Sequence, residues 1–219
     1  MTDNRMSGLA LIAGSCGMII TMALHPTGHV AAAQLEPMIR MLILVHAFAL
    51  ACVPVLFLGS WGLSRRFVSP SRVGTIGLVL YTFALLAVAN AAIADGLVQP
   101  GVFRQTVASA GSPTAIDSWR MLSRYTFYWN QAYAQVFVAA SSAAILAWSI
   151  GILRSGILAR GLGIYGCIVG PLTVLALFSG HLPLDAHGFG IVMLGQSAWF
   201  AIAGILLWNA EGPASVASA

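Results

Sequence analysis

Apolar runs of about 20 residues recur along the whole chain, and each is long enough to cross the hydrocarbon core of a bilayer as an α-helix. Of the 219 residues, 59% are hydrophobic and only 7% are charged. In soluble domains about a quarter of the residues are charged. We therefore predict an all-α fold, a polytopic integral membrane bundle that forms a single membrane domain over residues 1–219.

Six transmembrane helices account for these runs. Their predicted bounds are about 6–24, 41–63, 73–94, 129–153, 161–180 and 188–208. The residues from 209 to 219 are mostly small and polar, so we expect them to form a flexible tail.

The longest segment between predicted helices, 96–128, has helical features of its own. Trp119, Leu122, Tyr125 and Trp129 follow one another at steps of three and four residues. This spacing favours a short interfacial helix before the fourth transmembrane helix, with its aromatic side chains at headgroup level. The alternative is that these residues form the first turns of the fourth transmembrane helix itself.

Arginine carries all the fixed positive charge, since the chain contains no lysine. The short basic turns favour one side of the bundle as cytoplasmic, and both termini then lie inside. The arginines on that side are Arg5, Arg65, Arg66, Arg72, Arg154 and Arg160, and those on the other are Arg40, Arg104, Arg120 and Arg124. The expected location is the bacterial cytoplasmic (inner) membrane.

The charge distribution also excludes some functions. A net charge of +4 could indicate nucleic-acid binding in a soluble protein, but these arginines flank apolar runs and set the topology. We therefore expect no nucleic-acid partner. The absence of lysine excludes a lysine nucleophile.

All the histidines fall at the predicted outer ends of helices. The candidate metal ligands are His25, His29, His46, His181, Asp185 and His187. An up-and-down bundle can bring these helix ends together, and imidazole and carboxylate groups are ligands for transition metals. The sequence therefore predicts an outward-facing His/Asp metal site, in which Asp185 is either a ligand or the group that orients a histidine.

The expected cofactor is a transition metal, copper or zinc, or else haem. Met18 and Met22 share a helix face with His25, and thioether ligands select Cu(I). Two facing imidazoles could instead hold a haem. In the alternative without a cofactor, the histidines form hydrogen bonds with water or helix ends at the membrane interface.

A second polar set lies at the outer ends of the third and fourth predicted helices. It comprises Asn90, Asp95, Gln131 and Gln135. Polar side chains at membrane depth tend to face the bundle interior or a cavity, so this set predicts a cofactor-binding polar pocket that opens outward. Hydrogen bonding between helices is the alternative.

The motifs do not decide whether the chain is an enzyme. Residues 161–166 match the letters of a dinucleotide-binding fingerprint, but no strand precedes them and they enter a membrane helix. Neither Gly-x-Ser-x-Gly nor His-Glu-x-x-His occurs.

The leading hypothesis is an integral membrane protein whose His/Asp site binds a transition metal or haem for redox or hydrolytic chemistry at the membrane surface. The alternative is a non-catalytic accessory or assembly subunit of a larger membrane complex, with other membrane subunits as partners besides the lipid bilayer. A lipid- or quinone-binding pocket or a small transporter is the third hypothesis.

Overall fold

The structure, a computed structural model, describes residues 3–26, 35–67 and 72–210. The described residues form helices and short turns, with no β-strand among them. Six helical segments within them are long and apolar enough to span a membrane. The all-α prediction and the number of candidate spans are therefore confirmed.

The described chain contains seven α-helices and one π-helical turn. In order they are α1 Asp3–Leu24, α2 Leu35–Arg65, α3 Val73–Ile93, the π turn Ala94–Val98, α4 Gln99–Ala108, α5 Pro113–Ser155, α6 Arg160–Phe178 and α7 Ala186–Asn209. The third candidate span, Val73–Ala108, joins α3, the π turn and α4 without a break.

The prediction of a long loop with a separate interfacial helix is wrong. Only residues 109–112 separate α4 from α5, which runs unbroken for 43 residues. The alternative, in which Trp119 and Trp129 belong to the first turns of the fourth span, is confirmed. At about 1.5 Å per residue α5 is about 65 Å long, roughly twice the hydrocarbon thickness of a bilayer, so hydropathy alone identified only its apolar half.

The remaining predicted bounds agree with the helices to within a few residues, except at the start of α2. This helix begins at Leu35 instead of about residue 41, and Glu36 and Arg40 form an i,i+4 ion pair of 3.7 Å in its first turns. The predicted tail lies outside the described residues from 211 onward.

The helices pack in two groups, with α1 between α2 and α7 and with α5 between α3 and α6. Glycines permit close approach within each group. A Cβ at Gly204 of α7 would lie 2.7 Å from the Gly8 carbonyl oxygen of α1, and one at Gly170 of α6 would lie 2.8 Å from the Ser142 carbonyl oxygen of α5. The groups meet along α2 and α3, and near the C-terminal end of α1 they leave a cavity between them.

Candidate metal centre

His25 directly follows the last residue of α1 and precedes Pro26. A residue before proline is disfavoured in the α conformation, so the helix ends here and the imidazole lies at the helix end. Nδ1 of His25 lies 3.2 Å from the carbonyl oxygen of Pro26. A carbonyl oxygen can only accept, so this contact assigns the proton to Nδ1 and turns Nε2 toward the bundle.

His46 lies within α2 and is 7% exposed. Its Nδ1 lies 2.8 Å from the carbonyl oxygen of Leu42, one turn earlier in the same helix. The carbonyl again accepts a hydrogen bond from Nδ1–H, so Nε2 is left facing the interior. The two imidazoles meet edge to face, with ring centroids 5.2 Å apart.

Asp95 belongs to the π-helical turn between α3 and α4. A π turn accommodates an extra residue within a continuous helix, and such turns are frequent at functional sites. The next residue, Gly96, packs directly against His46, because a Cβ at Gly96 would overlap the Cβ of His46. The π turn and the glycine together bring the Asp95 carboxylate up to the two histidines of α1 and α2.

These three side chains form one cluster, the His25/His46/Asp95 triad. Oδ2 of Asp95 lies 3.4 Å from Nε2 of His25 and 3.3 Å from Nε2 of His46. One ligand atom of each residue lies within 4.8 Å of the other two. Bonds of about 2.0–2.1 Å to a tetrahedral metal would hold neighbouring ligand atoms about 3.4 Å apart. The two carboxylate-to-imidazole distances match this spacing, and the two imidazoles would close to the same spacing around a shared ion.

When its imidazoles are neutral, the triad brings three hydrogen-bond acceptors together without a donor between them. Each neutral imidazole has one proton, and the backbone carbonyls of Pro26 and Leu42 hold it on Nδ1. Both Nε2 lone pairs then face the Asp95 oxygen, so three acceptor groups point at one another. Protons or a metal cation must lie between them. A backbone carbonyl on Nδ1 with Nε2 free is also the usual arrangement of a metal-binding histidine.

The triad borders a cavity of about 370 Å³ between the two helix groups. Most of its walls are apolar, and apart from Thr21 the polar residues lie near the triad. Its lining is Met18, Thr21, Met22, His25, His46, Ala49, Val88, Ala91, Ala92, Asp95, Phe127, Asn130, Gln131, Ala134, Leu184, Asp185, Ala186, Phe189 and Met193.

The other predicted metal ligands do not join the triad. Of the described candidates, His181 and His187 are exposed and lie outside the cluster, and His181 Nδ1 contacts the Ser179 hydroxyl at 2.9 Å. Asp185 borders the cavity, but its Oδ1 caps α7 by accepting from the backbone N–H groups of His187 and Gly188. His29 lies outside the described residues.

The predicted polar pocket divides in a similar way. Asp95 and Gln131 line the cavity, and Gln131 Nε2 donates to the carbonyl oxygen of Leu184 at 3.1 Å. Asn90 is exposed and donates to the Leu86 carbonyl of its own helix, and Gln135 is exposed as well. The metal candidates and the polar set therefore overlap in one site, because Asp95 is the carboxylate that meets the histidines.

No protein family, curated protein or solved structure matches this chain.

Proposed function

We propose that this chain is an integral membrane protein that binds a transition metal ion through His25, His46 and Asp95. The observation that carries the proposal is that the Nε2 atoms of His25 and His46 converge on one carboxylate oxygen of Asp95. Each Nδ1 is at the same time hydrogen-bonded to a backbone carbonyl oxygen. When both imidazoles are neutral, their two Nε2 atoms and the Asp95 oxygen offer three ligand atoms with no proton between them, and a cation relieves their mutual repulsion.

Zinc accounts best for this ligand set. Two imidazoles and one carboxylate, with a fourth position open to water or substrate, is the ligand pattern of catalytic zinc sites. Copper is the alternative, favoured by the thioethers of Met18 and Met22 along the same cavity. Haem is disfavoured, because the Asp95 oxygen lies within 3.4 Å of both imidazoles, where the macrocycle would have to pass.

The chemistry that such an ion supplies is Lewis-acid activation of a bound water or carbonyl group. The protein's own contribution is positional: the backbone carbonyls of Pro26 and Leu42 orient the imidazoles, and the π turn presents Asp95. The cavity next to the triad offers room for a substrate.

The test is metal binding by the purified chain and by ligand variants. We expect about one metal ion per chain, by elemental analysis or after zinc reconstitution. H46Q and D95N should each weaken zinc binding by more than the factor of about 10–100 typical of losing an outer-shell partner. Because protons compete for Nε2, zinc affinity should also fall as the pH is lowered.

The chain provides matched controls for both variants. H187Q replaces an exposed histidine outside the triad, and D117N replaces an exposed aspartate whose ion-pair partner is Arg120, at 3.6 Å. Both controls should bind zinc like the native chain. The proposal is wrong if the native chain neither contains nor takes up metal, or if H46Q and D95N bind zinc as tightly as their controls.

We further propose that both termini face the cytoplasm and that the triad faces outward. The support is the arginine distribution, which favours the ends of α1, α2 and α5 opposite the triad as cytoplasmic. In a cysteine-free background, S109C should react with a membrane-impermeant maleimide on intact cells, and S155C should react only after lysis. The reverse labelling pattern would mean that the triad faces the cytoplasm and that the proposed orientation is wrong.

A role as an accessory subunit remains the rival prediction. This hypothesis predicts that the chain co-purifies stably with other membrane subunits and that H46Q does not change the metal content.

A further inference from the structure

The cavity beside the triad extends along the helix axes of the bundle. Met18 of α1 lies about two helical turns below His25, which is about 10 Å along the axis. On α7, Met193 lies about as far below Asp185. The cavity therefore extends from the level of the triad into the part of the bundle that the apolar helices enclose.

The chemistry of the walls changes with this depth. Asn130, Gln131 and Asp185 lie at the level of the triad. One to two turns deeper the lining is apolar, with Val88, Ala134 and Met193 among its residues. The one deep hydroxyl of the lining, that of Thr21, already donates to the Gly17 carbonyl at 2.9 Å, so it offers no proton to a ligand.

The volume exceeds what a metal-bound water needs. One water occupies about 30 Å³ in the liquid, so a cavity of about 370 Å³ has room for about a dozen groups of that size. Water is poorly held where the walls offer few hydrogen-bond partners, and apolar cavities of this kind take up apolar ligands.

We propose that this cavity binds an amphiphile, whose oxygen-bearing head group occupies the open metal position and whose apolar chain extends toward Met18 and Met193. The inference rests on the proposed metal site. The triad supplies a metal-binding anchor at the upper end of the cavity. The apolar lower end stabilises the chain by removing it from water. The substrate class is therefore a small amphiphile, such as a lipid-derived acid, ester or alcohol.

The test uses cobalt in place of zinc and straight-chain alkyl hydroxamates of increasing length as probes. The full chain in lipid nanodiscs is loaded with Co²⁺, and the visible absorption of the metal reports when a hydroxamate binds. Affinity should rise by up to about fourfold per added methylene while the chain is being buried. The gain should stop when the cavity is filled, at no more than about a dozen methylenes.

Longer hydroxamates also partition more strongly into the bilayer, but this contribution is the same for every variant. Two cavity variants therefore show which part of the chain-length dependence comes from the cavity. A134F fills part of the deep end, so the gain should stop at a shorter chain than in the native protein. M193A enlarges that end, so the gain should continue to a longer chain. A132F places the same ring on an exposed position of α5 and should leave the profile unchanged.

The outcomes separate this inference from the metal site itself. If the native chain binds no cobalt, the metal site is wrong and the inference fails with it. If cobalt binds but A134F and M193A both have the native chain-length profile, the amphiphile site is wrong and the metal site stands. Should A134F fail to fold, M193A alone decides, because removing side-chain volume beside a cavity does not overpack the bundle.

Discussion

Helices α5 and α7 face each other at two levels, and the two levels are built in opposite ways. At the lower level Trp148 and Trp199, both fully buried, stack with ring centroids 6.0 Å apart. At the upper level Gln131 of α5 donates to the carbonyl of Leu184, in the turn that leads into α7, at 3.1 Å beside the cavity. The same pair of helices therefore joins a filled core to an open site.

Side-chain size accounts for the difference. The upper level places several alanines on the cavity wall among its larger side chains, and these include Ala49, Ala91, Ala92 and Ala134. At the lower level the large rings of Trp148 and Trp199 fill the equivalent space, and glycine allows neighbouring helices to approach them. A Cβ at Gly77 of α3 would overlap the Trp148 ring. The cavity is thus a consequence of which residues are small, with the packed level holding the helices in place around it.

The largest expected effect is at the packed level. W148A would remove a fully buried ring that stacks on Trp199 and donates to the Ser64 hydroxyl at 3.2 Å. We expect it to reduce the free energy of unfolding by about 3–5 kcal/mol, measured by denaturation in mixed micelles. A milder variant, W148F, should keep the fold and the native zinc affinity, because the triad lies at the other level.

The control for that substitution is W129A, since Trp129 is 43% exposed. W129A should reduce the free energy of unfolding much less than W148A does. Equal losses from the two variants would mean that the Trp148 level does not hold the bundle together, and a loss of zinc binding in W148F would mean that the two levels are not independent.

Hydropathy and spacing were sufficient to predict the six spans, because a bilayer demands about 20 apolar residues per helix. The same criterion missed the extension of α3 into α4 and the first half of α5, where polar residues continue the helix. Pro113 in the first turn of α5 favours the start of that helix, and the π turn keeps α3 and α4 continuous, but an average of hydropathy reports neither feature.

The site could be predicted only in part from the sequence. His25 and His46 were placed at one level, and the structure brings them together. Asp95 was assigned to a separate polar set, because its direction depends on the π turn, for which the sequence has no periodic signal. His181 follows α6, which packs mainly on α5, so its end does not reach the ends of α1 and α2.

A smaller effect is expected where the π turn meets α2. G96V would place a branched side chain where the Cβ of His46 already lies, so the His46 ring or the π turn must shift. A shift of either one moves Nε2 of His46 away from Asp95 Oδ2, which is now 3.3 Å from it. We expect zinc affinity to fall by about 10- to 100-fold, as when a group that positions a ligand is lost.

G101V is the matched control, because Gly101 lies five residues further along the same continuous helix and a Cβ there meets no described atom within 4 Å. Valine has a modestly better helix propensity than glycine, so G101V should keep the native zinc affinity and at least the native stability. If G96V binds zinc as tightly as G101V, the close approach at Gly96 does not position His46. The cavity would then have room for the displaced His46 ring, whereas the closely packed level around Trp148 has no such space.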